Sequence, residues 1–277
     1  MKETHGIQET LDDASLQTVR EELVAKVLQH EVVVNNPYTK WFKLGNANTE
    51  QLRDLVIQFS VFSNHFIPLE AKRMVNAATE EEEREARAIL GSEIGVSIDA
   101  ATGDIEGHKF SHDAAHIKWL RDIGESLGLD RNQLGKWALG SESTHQFLRE
   151  LEAVYGSHDN NIGAGASFAI ESWAGCGIGD GEEAESNNFW RELISGLEAY
   201  NQKNRTRLGL PPLKTGFFKF HFGLESGHVA NVTSELDQVL VRPDFDRKQW
   251  EFGASHALDA ILTFWKGLDA SRKKLER

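Results

Sequence analysis

Three residues in the last quarter of the chain have the types and spacing of metal ligands. They are His221, Glu225 and His228, in the run Phe217-Phe218-Lys219-Phe220-His221-Phe222-Gly223-Leu224-Glu225-Ser226-Gly227-His228. On a helix, steps of four and three residues place all three side chains on one face. A rotation of about 100° per residue brings Phe217, Phe218, Leu224 and Val232 within about 60° of that face. The polar trio therefore points into an apolar interior. A lone histidine on such a face is ordinarily a satisfied core residue. A buried carboxylate flanked by two imidazoles is costly unless something compensates it, and a metal ion does so most directly. The pattern is H-x-x-x-E-x-x-H and not H-E-x-x-H, so a zinc-protease reading has no support.

Further ionisable residues sit on apolar faces elsewhere. Glu93 shares a helical face with Ala86, Ile89, Leu90 and Val96. Glu171 shares one with Ala164, Ser167, Phe168, Ala174 and Gly175, and the small residues among these would let helices approach closely. His116 shares its face with Trp119, Leu120, Ile123 and Leu127, and His112, one turn earlier, is its rival. Together these make three carboxylates and three imidazoles. Two divalent ions bring four positive charges, of which three carboxylates cancel three. Mixed His and carboxylate ligation with open positions suits iron or manganese better than structural zinc. Dinuclear carboxylate sites of this kind are built from side chains on facing helices of a bundle. The ferritin-like arrangement has a Glu-x-x-His element on each of two helices. This chain offers one comparable element, Glu225-Ser226-Gly227-His228, which points to a different bundle.

The elements that must position these residues are helical throughout. Prolines occur only at 37, 68, 211, 212 and 243, and no clear alternating strand run or internal repeat is present. Helical periodicity predicts helices over about 16–33, 49–77 (N-capped by Thr49, with a bend at Pro68), and from Thr79 through its acidic first turn. Gly95 to Gly107 reads as irregular. Further helices are expected over about 111–127, 132–139, 142–155, 164–173, 188–207, 215–239 and 246–275, with an acidic loop over about 175–185. No linker divides them. The expectation is one all-α domain over 15–277 behind a loose tail, residues 1–14.

The whole chain, 277 residues with a formal net charge of −13, bounds its partners. That charge disfavours nucleic acid and anionic membranes. No apolar run approaches the roughly 20 residues needed to span a bilayer. Residues 1–15 lack the apolar core of a signal peptide, so a cytoplasmic location is expected. Cys176 is the one cysteine, which rules out an intramolecular disulfide and a multi-thiolate zinc site.

In this order, several segments resemble the haem-oxygenase-like di-iron oxidases and oxygenases, on the scaffold shared with TenA-type thiaminases and the pyrroloquinoline-quinone synthase protein. Asn36-Pro37-Tyr38 through Leu44-Gly45, with Thr49-Glu50-Gln51-Leu52-Arg53, looks like the family's opening helix pair. Ser92-Glu93-Ile94-Gly95 looks like its Glu-x-Gly ligand segment, and His116-Ile117-Lys118-Trp119-Leu120 through Leu127-Gly128-Leu129 resembles its next ligand helix. Glu171 falls where the family has a bridging carboxylate, and His221, Glu225 and His228 resemble its last ligand helix. The gap between Glu93 and His116 is larger than the family's and also holds His108 and His112.

The resemblance implies a haem-oxygenase-like helical bundle and an enzyme that uses two Fe(II) ions, with O2 as co-substrate. It implies a metal set of Glu93, His116, Glu171, His221, Glu225 and His228. The implied substrate is a small amine, amino acid or carboxylic acid, often in natural-product biosynthesis, and the oligomeric state is left open, with a homodimer allowed. Two alternatives stand beside this. One is a cofactorless TenA-like hydrolase or oxidase, for which Cys176 is the one nucleophile candidate. The other is a haem- or iron-binding protein without turnover, with His30 as axial ligand. Arg207, Lys214 and Arg242 are candidates to pair a substrate carboxylate.

Overall fold

A computed structural model describes residues 13–98, 105–175 and 188–276, with residues 13, 97, 98, 105–109 and 224–233 described by their backbone alone. Along the chain run α1 (Asp13–Leu28), α2 (Glu31–Val34), α3 (Pro37–Phe42), α4 (Thr49–Val75) and α5 (Glu80–Ile94). Then come β1 (Val96–Ile98), β2 (Ile105–Phe110), α6 (His116–Ser126), α7 (Glu142–Tyr155) and α8 (Asn160–Gly175). The C-terminal third holds α9 (Phe189–Tyr200), α10 (Gly216–Leu240) and α11 (Arg247–Lys274). The all-α expectation holds. None of the described helices is long and apolar enough to cross a membrane.

Local chemistry sets the helix ends. Asn36 accepts from the backbone N–H groups of Tyr38 and Thr39 ahead of Pro37, whose fixed φ suits the first helical position. Asn48 caps α4 through a reciprocal capping box with Gln51, one residue before the expected cap at Thr49. Thr79 caps α5 as expected, and the acidic turn that follows favours the positive end of the helix dipole. The expected first helix is in fact two. It stops at Leu28, and His30 restarts it by accepting from Val32 N–H at 3.3 Å. The expected helix at 132–139 is a series of turns ending in a 3-10 turn at Trp137–Leu139. Gly135, with φ of 86°, cannot belong to a right-handed helix. α9 runs on through a π turn at Asn201–Arg205.

A two-stranded antiparallel hairpin, β1 with β2, replaces the irregular segment expected after Gly95. Gly95 ends α5 at φ 82°, and a side chain there would meet the Ser111 carbonyl at 2.3 Å. The backbone N–H of Ser111 donates to the Gly95 carbonyl at 2.9 Å. The excursion thus leaves and returns at one point.

The core is built of aromatic rings from several helices. Phe59 of α4 lies 5.6–6.0 Å, centroid to centroid, from Phe62, Trp190, Phe217, Phe218, Phe264 and Trp265. Helices α8 and α11 cross with their backbones nearly touching. A Cβ on Gly165 would lie 2.0 Å from the Trp250 carbonyl oxygen, and one on Gly253 would lie 2.1 Å from that of Ile162.

Candidate metal centre

Helices α5, α6 and α10 bring Glu93, His116 and His221 together. One ligand-type atom from each lies within 4.8 Å of the others, and the group is buried. Glu93 sits in the last turn of α5. His116 is the first residue of α6, so its ring enters the interior where that helix begins. Its Nδ1 is 3.0 Å from Glu93 Oε1, without hydrogen-bond alignment. Its Nε2 is 3.3 Å from Ser92 Oγ, which can take the ring hydrogen. The His221 ring stands at 74° to that of His116, with centroids 4.7 Å apart. His221 Nδ1 donates to the Phe217 carbonyl at 2.7 Å, because a carbonyl can only accept. That bond fixes the tautomer and leaves Nε2 with its lone pair, the arrangement in which histidine binds metals. Trp190 stacks on the other side of His221 at 4.9 Å.

Glu171, on α8, is 4% exposed and lines the same cavity as Glu93, His116 and His221, outside their closest group. The cavity has a volume of about 70 Å³ and opens partly to solvent. Glu225 and His228 lie on α10, but their side chains fall outside the described residues. Of the rivals His112 and His116, it is His116 that lies in the interior, 2% exposed, while His112 lies exposed on a 3-10 turn. The side chain of His108 and all of Cys176 lie outside the described residues. His30 is spent elsewhere, capping α2 and facing Asp259 at 3.2 Å. None of the proposed carboxylate-pairing residues lines the cavity. Arg242 pairs with Glu82 and Asp244, Lys214 pairs with Asp122, and Arg207 is exposed.

Sequence reasoning missed Glu70. This residue of α4 is wholly buried, and one of its carboxylate oxygens accepts from the Tyr155 hydroxyl. Burial pushes its carboxyl up to about 8 against the pull of the Tyr155 hydrogen bond, and the charges of Glu171 and Glu93 push it further. The two carboxylates that push it both line the cavity. A signal was available, since Glu70 follows Phe59, Ser63 and Phe66 at eleven, seven and four residues, the spacing of one helix face.

A CADD-like protein of unknown function from Nostoc punctiforme superposes with a TM-score of 0.64 at 16% identity, over 94% of this chain and 99% of its own. A domain of unknown function with a heme oxygenase-like fold, from Shewanella denitrificans, gives 0.59 at 13% identity, over 96% and 95%. The fold is haem-oxygenase-like. A TenA homolog from Pseudomonas syringae pv. tomato gives 0.55 at 12% identity, over 93% and 92%. No family model matches the chain. No curated protein matches it either.

On this haem-oxygenase-like scaffold the donor set fits a metal. Glu93 Oε2, His116 Nδ1 and Glu70 Oε2 are buried polar atoms without a hydrogen-bond partner. Buried polar atoms are nearly always paired, and Glu93 Oε2 and His116 Nδ1, both on the cavity wall, are the kind of acceptor that a cation satisfies.

Proposed function

We propose that this chain is a non-haem di-iron oxidase or oxygenase acting with O2 on a small amine or carboxylic acid, with amino acids in the wider class that the sequence suggests. The supporting observation is the Glu93, His116 and His221 group, whose ligand-type atoms lie within 4.8 Å of one another, with Glu93 Oε2 and His116 Nδ1 in no hydrogen bond. Glu171 and the sequence-derived pair Glu225 and His228 complete the set. Glu93, Glu171 and Glu225 then balance three of the four charges of two divalent ions. Bound ferrous ions would supply the electrons for O2 reduction.

The chain's own residues do the rest. The Phe217 carbonyl holds His221 in the ligating tautomer, and Ser92 orients His116. Tyr155 donates to Glu70 and fixes its carboxyl plane. The aromatic wall lowers the polarity around the reacting centre. Anaerobic iron titration tests the reading. Wild-type protein should take up close to two Fe(II) per chain and consume O2, and Glu225→Ala and His228→Ala should each lower both. Full turnover without added metal would favour the cofactorless reading and refute this one.

A further inference from the structure

The chain has seven tryptophans and three tyrosines, and all ten lie among the residues whose side chains are described. These are the rings that give up one electron most readily. Two of them lie on imidazoles of the candidate centre. Trp190 stacks on His221 with centroids 4.9 Å apart and is buried. Trp119 stacks on His116 at 5.4 Å and 27°, and it is half-buried, so a single indole joins His116 to solvent.

The two indoles lead to different surroundings. From Trp190 the rings run through Phe59 or Phe189 to Trp265, then Tyr38, then half-buried Trp41. The Tyr38 hydroxyl is buried without a hydrogen-bond partner, so the phenol has no base for the proton it must lose with an electron. The Arg272 guanidinium lies over Trp41 at 4.3 Å and opposes a positive charge in that ring. At Trp119 the setting favours such a charge, because its Nε1–H donates to the Asp113 carbonyl oxygen at 2.8 Å. We propose that Trp119 drains oxidising equivalents from the centre to the surface. When one is generated there from O2 without a substrate to consume it, Trp119 gives an electron inward through the His116 ring, and a small thiol in solution replaces it. Each transfer adds one electron to the centre and oxidises one thiolate to a thiyl radical, two of which couple to a disulfide. Within Trp119 no bond forms or breaks, and Nε1 keeps its proton. The inference rests on the metal-centre reading, because the electron's destination is that centre.

An indole radical that no reductant repairs reacts with O2 and keeps added oxygen as a mark. Peptide mass spectrometry reads that mark at each tryptophan after Fe(II)-loaded protein meets O2 without substrate, with bound iron measured separately. Trp137, 40% exposed, controls for oxidants arriving from solution. Trp119 should be marked at least fivefold more than Trp137 or Trp41. Reduced glutathione should cut the Trp119 mark at least threefold with bound iron unchanged. Trp119→Phe and Trp119→Tyr both keep a ring beside His116, but only the phenol can give up an electron, since water at this half-buried position takes its proton. Oxygen on the peptide carrying Trp190 should rise at least threefold in Trp119→Phe and stay at the wild-type level in Trp119→Tyr. A mark shared equally with Trp137, centred on Trp41 or untouched by glutathione overturns the proposal, as does an equal rise in both variants or no rise in either. Iron uptake with Trp119 unmarked removes the drain and leaves the metal reading standing. Absence of iron uptake removes both.

Discussion

Glu70, at 0% exposed, holds its carboxyl at about 8, against an ordinary value of 4.5. The folded chain therefore binds a proton that the unfolded chain releases over that interval. Stability carries no penalty from Glu70 below about 4.5, loses up to about 1.4 kcal/mol per pH unit as pH rises towards 8, and is flat above it. Glu85, raised to about 7 mainly by burial, adds to the same slope. Metal-free Glu70→Gln should then match the wild type in thermal unfolding near pH 4.5 and exceed it at pH 8, and a variant less stable at pH 8 would refute the burial argument. At His221, Phe217 fixes the ring through its backbone, so Phe217→Leu should retain iron while His221→Ala loses it, as iron analysis of both would read. Legibility at this scale followed context. His116 was readable because Leu120 and Ile123 share its face. Glu70 was not, because Lys72 and Arg73 beside it make the end of α4 read as solvated, and only the longer spacing back to Phe59 betrays its direction.

Between elements, Arg73 ties the ligand-bearing helices together. Its guanidinium reaches Glu82 of α5 at 3.5 Å and bonds Glu235 of α10, and all three residues are under 10% exposed. Arg73→Met would leave Glu235 buried without its cation and Glu82 with Arg242 alone. The expected loss is about 3–5 kcal/mol, measured by urea denaturation, with iron affinity falling because α10 is freed from α4. The crossing of α8 and α11 is as intolerant. Gly253→Ala drives a methyl group into the Ile162 carbonyl and should cost at least about 1–3 kcal/mol, visible in the same assay. The sequence announced this crossing through the small residues around Glu171, and it announced most helices through apolar periodicity. It did not announce the break at His30 or the turns at 132–139. Those depend on single caps and one positive-φ glycine, which periodicity does not register.

Across the whole molecule, the bundle was legible because its helices carry continuous apolar faces, whereas the hairpin between α5 and α6 was not. Strand pairing there is short, and its register shifts between Val96 and Ile98, so no clean alternation marks it. The enlarged gap between Glu93 and His116 looked like a departure that could separate the two ligands. The Gly95 and Ser111 closure shows why it does not. Replacing residues 96–110 by a short glycine-serine linker should leave iron stoichiometry unchanged, and loss of iron would show that the hairpin itself supports the site. A segment that departs and returns through one hydrogen-bonded gate is invisible to the helices on either side. It can lengthen, shorten or be exchanged over evolutionary time without re-registering a single ligand, which makes this gate a natural place for relatives on the same scaffold to differ in size while keeping one centre.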